Sequence, residues 1–376
     1  MFTDHAINMD VAGEVKKLVS CPVMVANRIN DPKMADTLLA MGKADFIAMG
    51  RGSLADPYLP KKAQEGRFEE INYCIGCLQG CINAMADGEG FTCLVNPRLA
   101  KEYKNSLEPA EKSKHVLVAG TGPAGLMAAR TLAQRGHKVS VYDKDTHFGG
   151  AFRAAAYPMG KGELSTVISG YRKQCLELGV EFHMGTEVTK ELLQQEKPDA
   201  IVLATGSIPF IPNIPGKELA NILTAEEVLY GDTEVEPGPV VVCGGGEVGA
   251  ETAEFIAQTN PDVTILEMKP EILQEMMVMD TKCQLLERME QKHIKIQTNA
   301  MVTRFGNGTV SYKKPDDEAY TIPAATVVAA FGYRAYNPLE EAAKECCSEV
   351  YVIGSAKKAG DAMAATREGY ETGLQI

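Results

Sequence analysis

Apolar residues in this chain come mostly in short unbroken runs, with little of the strict alternation expected of a half-buried sheet. Residues 22–26, 45–49, 115–119, 201–203, 239–243 and 327–330 each read as a strand covered on both faces, and 138–142 and 262–266, interrupted by Ser140 and Thr264, read as further strands. Between them, helical spacing of apolar positions predicts helices over 9–19, 32–42 and 126–134, another running up to Gln258, and a closing helix over 364–374. Strand, helix and strand joined by short loops is a βα repeat, so the expectation is an α/β fold built on parallel sheets. Two such units in residues 1–70 suggest part of a parallel barrel or sheet.

Two of the strand-to-helix joints carry glycines at fixed spacing. After 115–119 come Gly120-Thr121-Gly122-Pro123-Ala124-Gly125, and after 239–243 come Gly244-Gly245-Gly246-Glu247-Val248-Gly249. Both are G-x-G-x-x-G between a strand and a helix. The first glycine makes the turn, the second lets the backbone approach a pyrophosphate at the helix N-terminus, and the third allows close packing of the helix. Each is followed by a strand that ends on an acid, Asp143 or Glu267, where a carboxylate can accept a ribose hydroxyl. At Glu267 the acid repels a 2′-phosphate and no arginine adjoins it, although Lys269 is near, which favours NADH over NADPH. The loops lie 124 residues apart, so one chain would hold two dinucleotides.

Four of the ten cysteines, Cys74, Cys77, Cys81 and Cys93, form the pattern C-x2-C-x3-C-x11-C, with Gly76 and Gly80 between them. Closely spaced thiolates on a glycine-containing loop can wrap a compact cation, and this spacing points first to a 4Fe-4S cluster. Structural zinc is the competing reading, but zinc ribbons usually present two C-x2-C pairs. Disulfides are the weakest, since no secretory signal precedes the cysteines. The others, Cys21, Cys175, Cys243, Cys283 and the vicinal Cys346-Cys347, read as small buried hydrophobes, with redox activity the minor alternative for the vicinal pair, and the six histidines form no ligand or catalytic spacing.

Composition narrows the partners. A net charge of −12 and a pI near 5.2 argue against nucleic acid or an anionic membrane surface. No apolar run is long enough for a spanning helix, and the cytoplasm is the expected compartment.

The strand ends Asn27-Arg28 and Gly50-Arg51 would lie side by side, a place where backbone N–H groups and an arginine can meet a phosphate. The run Gly50-Arg51-Gly52-Ser53-Leu54-Ala55-Asp56-Pro57, then Leu59-Pro60-Lys61-Lys62 and the cysteine loop, resembles the end of the flavin barrel in the Old Yellow Enzyme-like family of multidomain NADH:flavin oxidoreductases. That family includes 2,4-dienoyl-CoA reductase, 2-enoate reductase, trimethylamine dehydrogenase and bile-acid or flavonoid reductases. The resemblance covers nearly the whole chain and implies its layout. Residues 1–70 would be the last two βα units of an FMN barrel, with Asn27, Arg28, Gly50 and Arg51 as a partial FMN site. Residues 71–110 would carry the 4Fe-4S segment, 111–235 with 335–376 an FAD-binding domain, and 236–334 an NAD(H)-binding domain.

By the same resemblance FAD would sit on Gly120, Gly122, Pro123, Ala124, Gly125 and Asp143. It would also use Gly150 of the pair Gly149-Gly150, Thr205 and Gly206 of the strand Ala204-Thr205-Gly206, and Gly354. NADH would sit on Gly244, Gly246, Glu247, Gly249 and Glu267. Relatives usually have Gly-Asp where this chain has Gly354-Ser355, with Asp361 six residues on, and residues 157–162 resemble a family loop without an assigned role.

Electrons would pass from NADH to FAD, to the cluster, and then to FMN for reduction of an activated C=C bond in an enoate, enoyl-CoA or enone. The family's catalytic groups belong to earlier barrel strands. The partners expected are a small unsaturated substrate and a second copy or a complementing barrel chain. Two alternatives are a stand-alone NADH:acceptor subunit similar to the small subunit of glutamate synthase, and a non-catalytic assembly fragment.

Overall fold

The structure, a computed structural model, describes every residue except Met1, Phe2, Asp87, Glu89, residues 104–106 and Met277, together with the side chains of Ala86 and Asp280. It divides into two compact units. The first comprises Met1–Gly150, Glu163–Thr205 and Asn337–Ile376, and the second Ala151–Gly162 and Gly206–Tyr336. Among the described residues no helix is long and apolar enough to cross a membrane.

The first unit is built on a five-stranded parallel sheet in the order Val350–Val352, Ala200–Leu203, His115–Ala119, Lys138–Asp143, Glu181–Met184. The strand that delivers the first glycine loop is central, with Val116, Leu117 and Val118 fully buried. Burial of each such side chain stabilises the unit by about 1.5–3 kcal/mol, which explains the unbroken apolar runs. The helix Pro123–Gln134 covers the sheet and the last helix, Ala362–Gln375, lies against it. That approach needs glycine, because a Cβ at Gly369 would sit 2.3 Å from the Ala124 carbonyl oxygen and one at Gly373 2.6 Å from Thr131 Cβ.

Residues before the cysteines form a smaller core of Met9, Ala12, Val25, Ile29, Ala35 and Ala44. Its helices, Met9–Leu18 and Pro32–Ala40, fall where the spacing predicts. The two strands are shorter than predicted, Met24–Val25 and Phe46–Ile47, but they pair in parallel. Gly50 and Arg51 do not extend the second strand's loop; they open the helix Gly50–Ala55.

The second unit repeats the plan, its parallel sheet running Lys295–Gln297, Val263–Leu266, Val240–Cys243, Thr326–Ala329, Ile222–Thr224. An antiparallel sheet of Met301–Gly306, Thr309–Lys313 and Ala319–Pro323 is appended. The units divide at different points from the domain limits expected at 235/236 and 334/335. Residues 206–235 belong with the second unit because Ile222–Thr224 is an edge strand of its sheet, paired with Thr326–Ala329. The segment Ala151–Gly162 also packs there, through Lys161 on Glu251 and Arg153 stacked on Tyr230.

Candidate functional site

The two glycine loops have nearly the same geometry. Gly120 and Gly244 sit at φ 112° and 117°, and each N–H donates to the end of the next strand, to Tyr142 and Leu266 respectively, at 2.8 Å. A Cβ at Gly120 would lie 2.3 Å from the Ala204 carbonyl oxygen, and at Gly244 2.2 Å from that of Ala330. At Gly125 and Gly249 it would meet the first glycine's own carbonyl oxygen at 2.0 Å. The fold itself therefore demands glycine at these four positions.

The middle glycines differ in kind. A Cβ on Gly122 would have only the Gly149 carbonyl, at 4.0 Å, and one on Gly246 would meet nothing within 4 Å. Their φ values, −68° and −70°, suit any residue. Nothing among the described residues requires a bare backbone there, and a pyrophosphate at the helix N-terminus would. The sites fit a dinucleotide on that ground. Pro123 occupies the first helical turn, where its missing N–H costs nothing.

Each terminal carboxylate is locked beneath its loop. Asp143 Oδ2 accepts from the Thr121 N–H at 2.8 Å and its hydroxyl at 2.6 Å, while Oδ1 accepts from Asp145 N–H at 2.9 Å. Glu267 Oε2 accepts from Gly245 N–H at 2.6 Å and Oε1 from Lys269 N–H at 2.7 Å. Lys269 Nζ is itself 2.6 Å from Glu275. Around the first loop, Gly149 donates to the Thr121 carbonyl at 3.1 Å, and a Cβ on Gly150 would approach Gly122 Cα at 3.8 Å. Gly354 packs on Ala124, where a Cβ would come within 2.8 Å, and its N–H donates to Glu368 at 2.7 Å. Thr205 and Gly206 follow the Ala204 carbonyl that faces Gly120, with Gly206 at φ 78°. Asp361, six residues after Ser355, caps the last helix by accepting from Ala364 N–H at 2.7 Å.

Cys74, Cys77, Cys81 and Cys93 line one cavity of about 370 Å³ including its open mouth, with Arg51, Leu54, Ile75, Leu78, Thr92 and Leu94. Positive φ at Gly76 (63°) and Leu78 (60°) wraps the chain around it, and a π-helical turn, Gln79–Asn83, presents Cys81. Thr92 N–H closes the loop on the Gly80 carbonyl at 2.8 Å, so near that a Cβ on Gly80 would lie 2.5 Å from Thr92 O. Among the described residues no three His, Cys, Asp or Glu side chains converge as they must on one metal ion. A zinc site needs its sulfurs about 2.3 Å from a common centre. Four thiols lining one cavity are a donor set that a cubane, which takes its thiolates at separate corners, could use.

Burial pushes the Cys77 thiol up to about 12 and Cys93 to about 11, and raises Cys74 as well. Backbone N–H groups work against this: Gly76 on Cys74 at 3.4 Å, Gln79 on Cys77, and Val95 and Asn96 on Cys93. N–H groups aimed at sulfur suit thiolates that bind a cation.

Both ends of the loop are anchored by side chains without a motif. Asn30, only 8% exposed, donates to the Cys74 carbonyl and to Glu163 at 3.3 Å. Tyr171 donates to the Val95 carbonyl at 3.1 Å, Thr366 to that of Leu94 at 2.8 Å, and Asn96 to that of Leu54 at 2.9 Å. The proposed FMN residues part company. Asn27 and Arg28 do stand at the strand end, with φ 105° and 48°, but the Arg28 guanidinium is bonded to Glu163 and the Thr3 carbonyl. Arg51 lines the cysteine cavity. Of the vicinal cysteines, Cys347 donates to the Asp199 carbonyl at 3.3 Å.

Residues 114–353 match the pyridine nucleotide-disulphide oxidoreductase family and 3–70 the NADH:flavin oxidoreductase / NADH oxidase family. The chain is 35% identical to an NADH oxidase of Thermoanaerobacter brockii, over 97% of its own length and 57% of that protein. It is 31% identical to a cinnamate reductase of Clostridium sporogenes, over 96% and 54%. A solved 2-naphthoyl-CoA reductase complex superposes with a TM-score of 0.94 at 31% identity, over 100% of this chain and 57% of that one. The chain thus spans a little over half the length of these relatives. It belongs to the pyridine nucleotide-disulphide oxidoreductase family, in the multidomain group where that unit follows an Old Yellow Enzyme-like NADH:flavin oxidoreductase segment.

Proposed function

We propose that this chain is the electron-input part of an NADH-dependent ene-reductase, carrying reducing equivalents toward an FMN barrel that reduces an activated C=C bond. The observation that carries the reading is the pair of glycine loops whose middle glycines the fold does not need, in one chain with four thiols around a single cavity. Relatives named cinnamate reductase and 2-naphthoyl-CoA reductase favour an unsaturated acid or thioester as the substrate class. The match of residues 3–70 to the flavin oxidoreductases weighs against a stand-alone subunit of the glutamate synthase type.

Bound FAD would supply hydride acceptance from NADH, and a 4Fe-4S cluster single-electron carriage to a second flavin. The residues divide the binding work. Gly120, Gly122, Ala124, Gly125 and Gly150 shape the FAD pyrophosphate cradle, with Pro123 presetting its helix. Asp143 takes the ribose, Thr205 and Gly354 border the same loop, and Gly206 follows Thr205 as a further FAD residue. Gly244, Gly246, Glu247 and Gly249 do the same for NADH. The Glu267 carboxylate is held by two backbone N–H groups where a 2′-phosphate would have to approach, so NADPH is disfavoured. Cys74, Cys77, Cys81 and Cys93 would hold the cluster. Of the partial FMN site, Asn27, Gly50 and Arg51 remain for the cofactor, while Arg28 fixes the strand end through Glu163.

Anaerobic purification followed by iron, sulfide and flavin analysis tests this. About four irons and four sulfides with one FAD per chain are expected. Zinc in place of iron, or no FAD, would overturn the reading.

A further inference from the structure

The two arginines that follow the short parallel strands have opposite fates. Arg28 is neutralised: its guanidinium is bonded to Glu163, a carboxylate that also lies 2.8 Å from His5. Arg51, half-buried in the helix Gly50–Ala55, has no hydrogen bond, ion pair or ring contact among the described residues. Its side chain lines the cavity of the four cysteines. An arginine left without a carboxylate, beside four half-buried cysteines, is a positive charge kept for a negative occupant.

We propose that Arg51 is the fixed counter-cation of the four-cysteine site, and that its charge raises the reduction potential of the cluster held there. This rests on the cluster reading above. Adding one electron, delivered by reduced flavin, makes the site one charge more negative without making or breaking a bond. A neighbouring cation stabilises that state more than the oxidised one, and the partly buried setting limits screening by water. Arg51 is in this account a positioning charge. It touches neither substrate nor the transferred hydride.

The test uses the anaerobically purified chain and its Arg51→Gln and Arg51→Lys variants. The reduced cluster is measured by electron paramagnetic resonance as a function of potential, with iron, sulfide and FMN content taken on the same samples. The expected result is unchanged iron in both variants. In Arg51→Gln the reduced-to-oxidised ratio at fixed potential should fall about tenfold, equivalent to about 59 mV for a one-electron couple. Arg51→Lys should stay close to wild type. A glutamine variant with full iron and an unshifted potential would overturn the proposal. Loss of FMN with an unshifted potential would leave Arg51 a phosphate ligand alone and overturn the proposal, whereas loss of FMN with the tenfold fall supports the charge role beside the FMN role given above. Should the glutamine variant lose its iron, Arg51→Lys decides: a wild-type potential supports the charge role and a tenfold fall contradicts it. A wild-type chain without iron would instead sink the cluster reading itself.

Discussion

The loop at Gly120 and the loop at Gly244 share their turn, their helix entry and their locked carboxylate, yet the helices behind them are built differently. Seven residues after the first glycine, one helix buries Met127 and the other Glu251; three residues further, one buries Arg130 and the other Glu254. Glu251 is met by Lys161, whose Nζ lies 2.7 Å from both carboxylate oxygens, and Glu254 by Arg288 at 3.3 Å. Arg130 donates to Gln174 at 2.9 Å and lies over the Tyr171 ring. The loops differ too. Thr121 adds a hydroxyl to the shorter Asp143, whereas Gly245 stands where a Cβ would lie 2.5 Å from Ile272. Geometry that a dinucleotide would read is the same in both units, and geometry that only the protein reads has diverged.

The sharpest way to separate those two kinds of constraint is to add one methyl group at a time. Gly125→Ala and Gly249→Ala place a Cβ on a carbonyl oxygen, and each should lose on the order of 4–5 kcal/mol of its unit's stability in urea unfolding. Gly122→Ala and Gly246→Ala should leave apoprotein stability within about 0.5 kcal/mol. The first should nevertheless purify with little FAD, and the second keep FAD while binding NADH about tenfold more weakly. Equal destabilisation at all four positions would erase the distinction.

The helices come next. Glu251→Ala strands a buried lysine and should cost about 3–5 kcal/mol, whereas the double variant Lys161→Met with Glu251→Leu should recover most of that loss. A double variant as unstable as the single one would show that the pair does more than neutralise itself. Smaller again is Thr121→Val, which removes one hydrogen bond to Asp143 and should cost about 1.5–3 kcal/mol in the first unit, with no counterpart at Gly245 in the second.

The smallest effect concerns His137. Burial, then the charges of Arg135 and Lys114, lower its pKa from the ordinary 6.5, and its Nδ1 accepts from Lys114 N–H at 3.2 Å. The fold therefore prefers the neutral ring. Its contribution is complete above pH 6.5, shrinks as pH falls through that value, and levels off below the depressed folded pKa. Subtracting the His137→Gln stability profile from wild type should isolate that slope, and a flat difference would contradict it.

Much of this was legible before any coordinates, because the informative signals are local. Unbroken apolar runs marked the central strands His115–Ala119 and Val240–Cys243 of the two parallel sheets, and the glycine spacing with its following acid located both loops. Sheet partners were not legible: Ile222–Thr224 joins the second unit by pairing with a strand about a hundred residues later, which no local pattern records. The Arg28 bond to Glu163 was not legible either, because its carboxylate lies 135 residues away. Asn30, Tyr171 and Thr366, which pin the cysteine loop, are single polar residues that carry no periodic signal. A buried polar residue on a mostly apolar helix face, as at Thr366, was the one available hint.

The most direct test of the account is to mix NADH anaerobically with the flavin-loaded chain and with its Gly246→Ala variant, following flavin absorbance over a range of NADH concentrations. Saturable bleaching in the wild type, with half-saturation moved about tenfold higher in the variant and final amplitude unchanged, is the predicted result. Bleaching that ignores Gly246→Ala, or fails in the wild type with FAD bound, would contradict the assignment of the second loop to NADH.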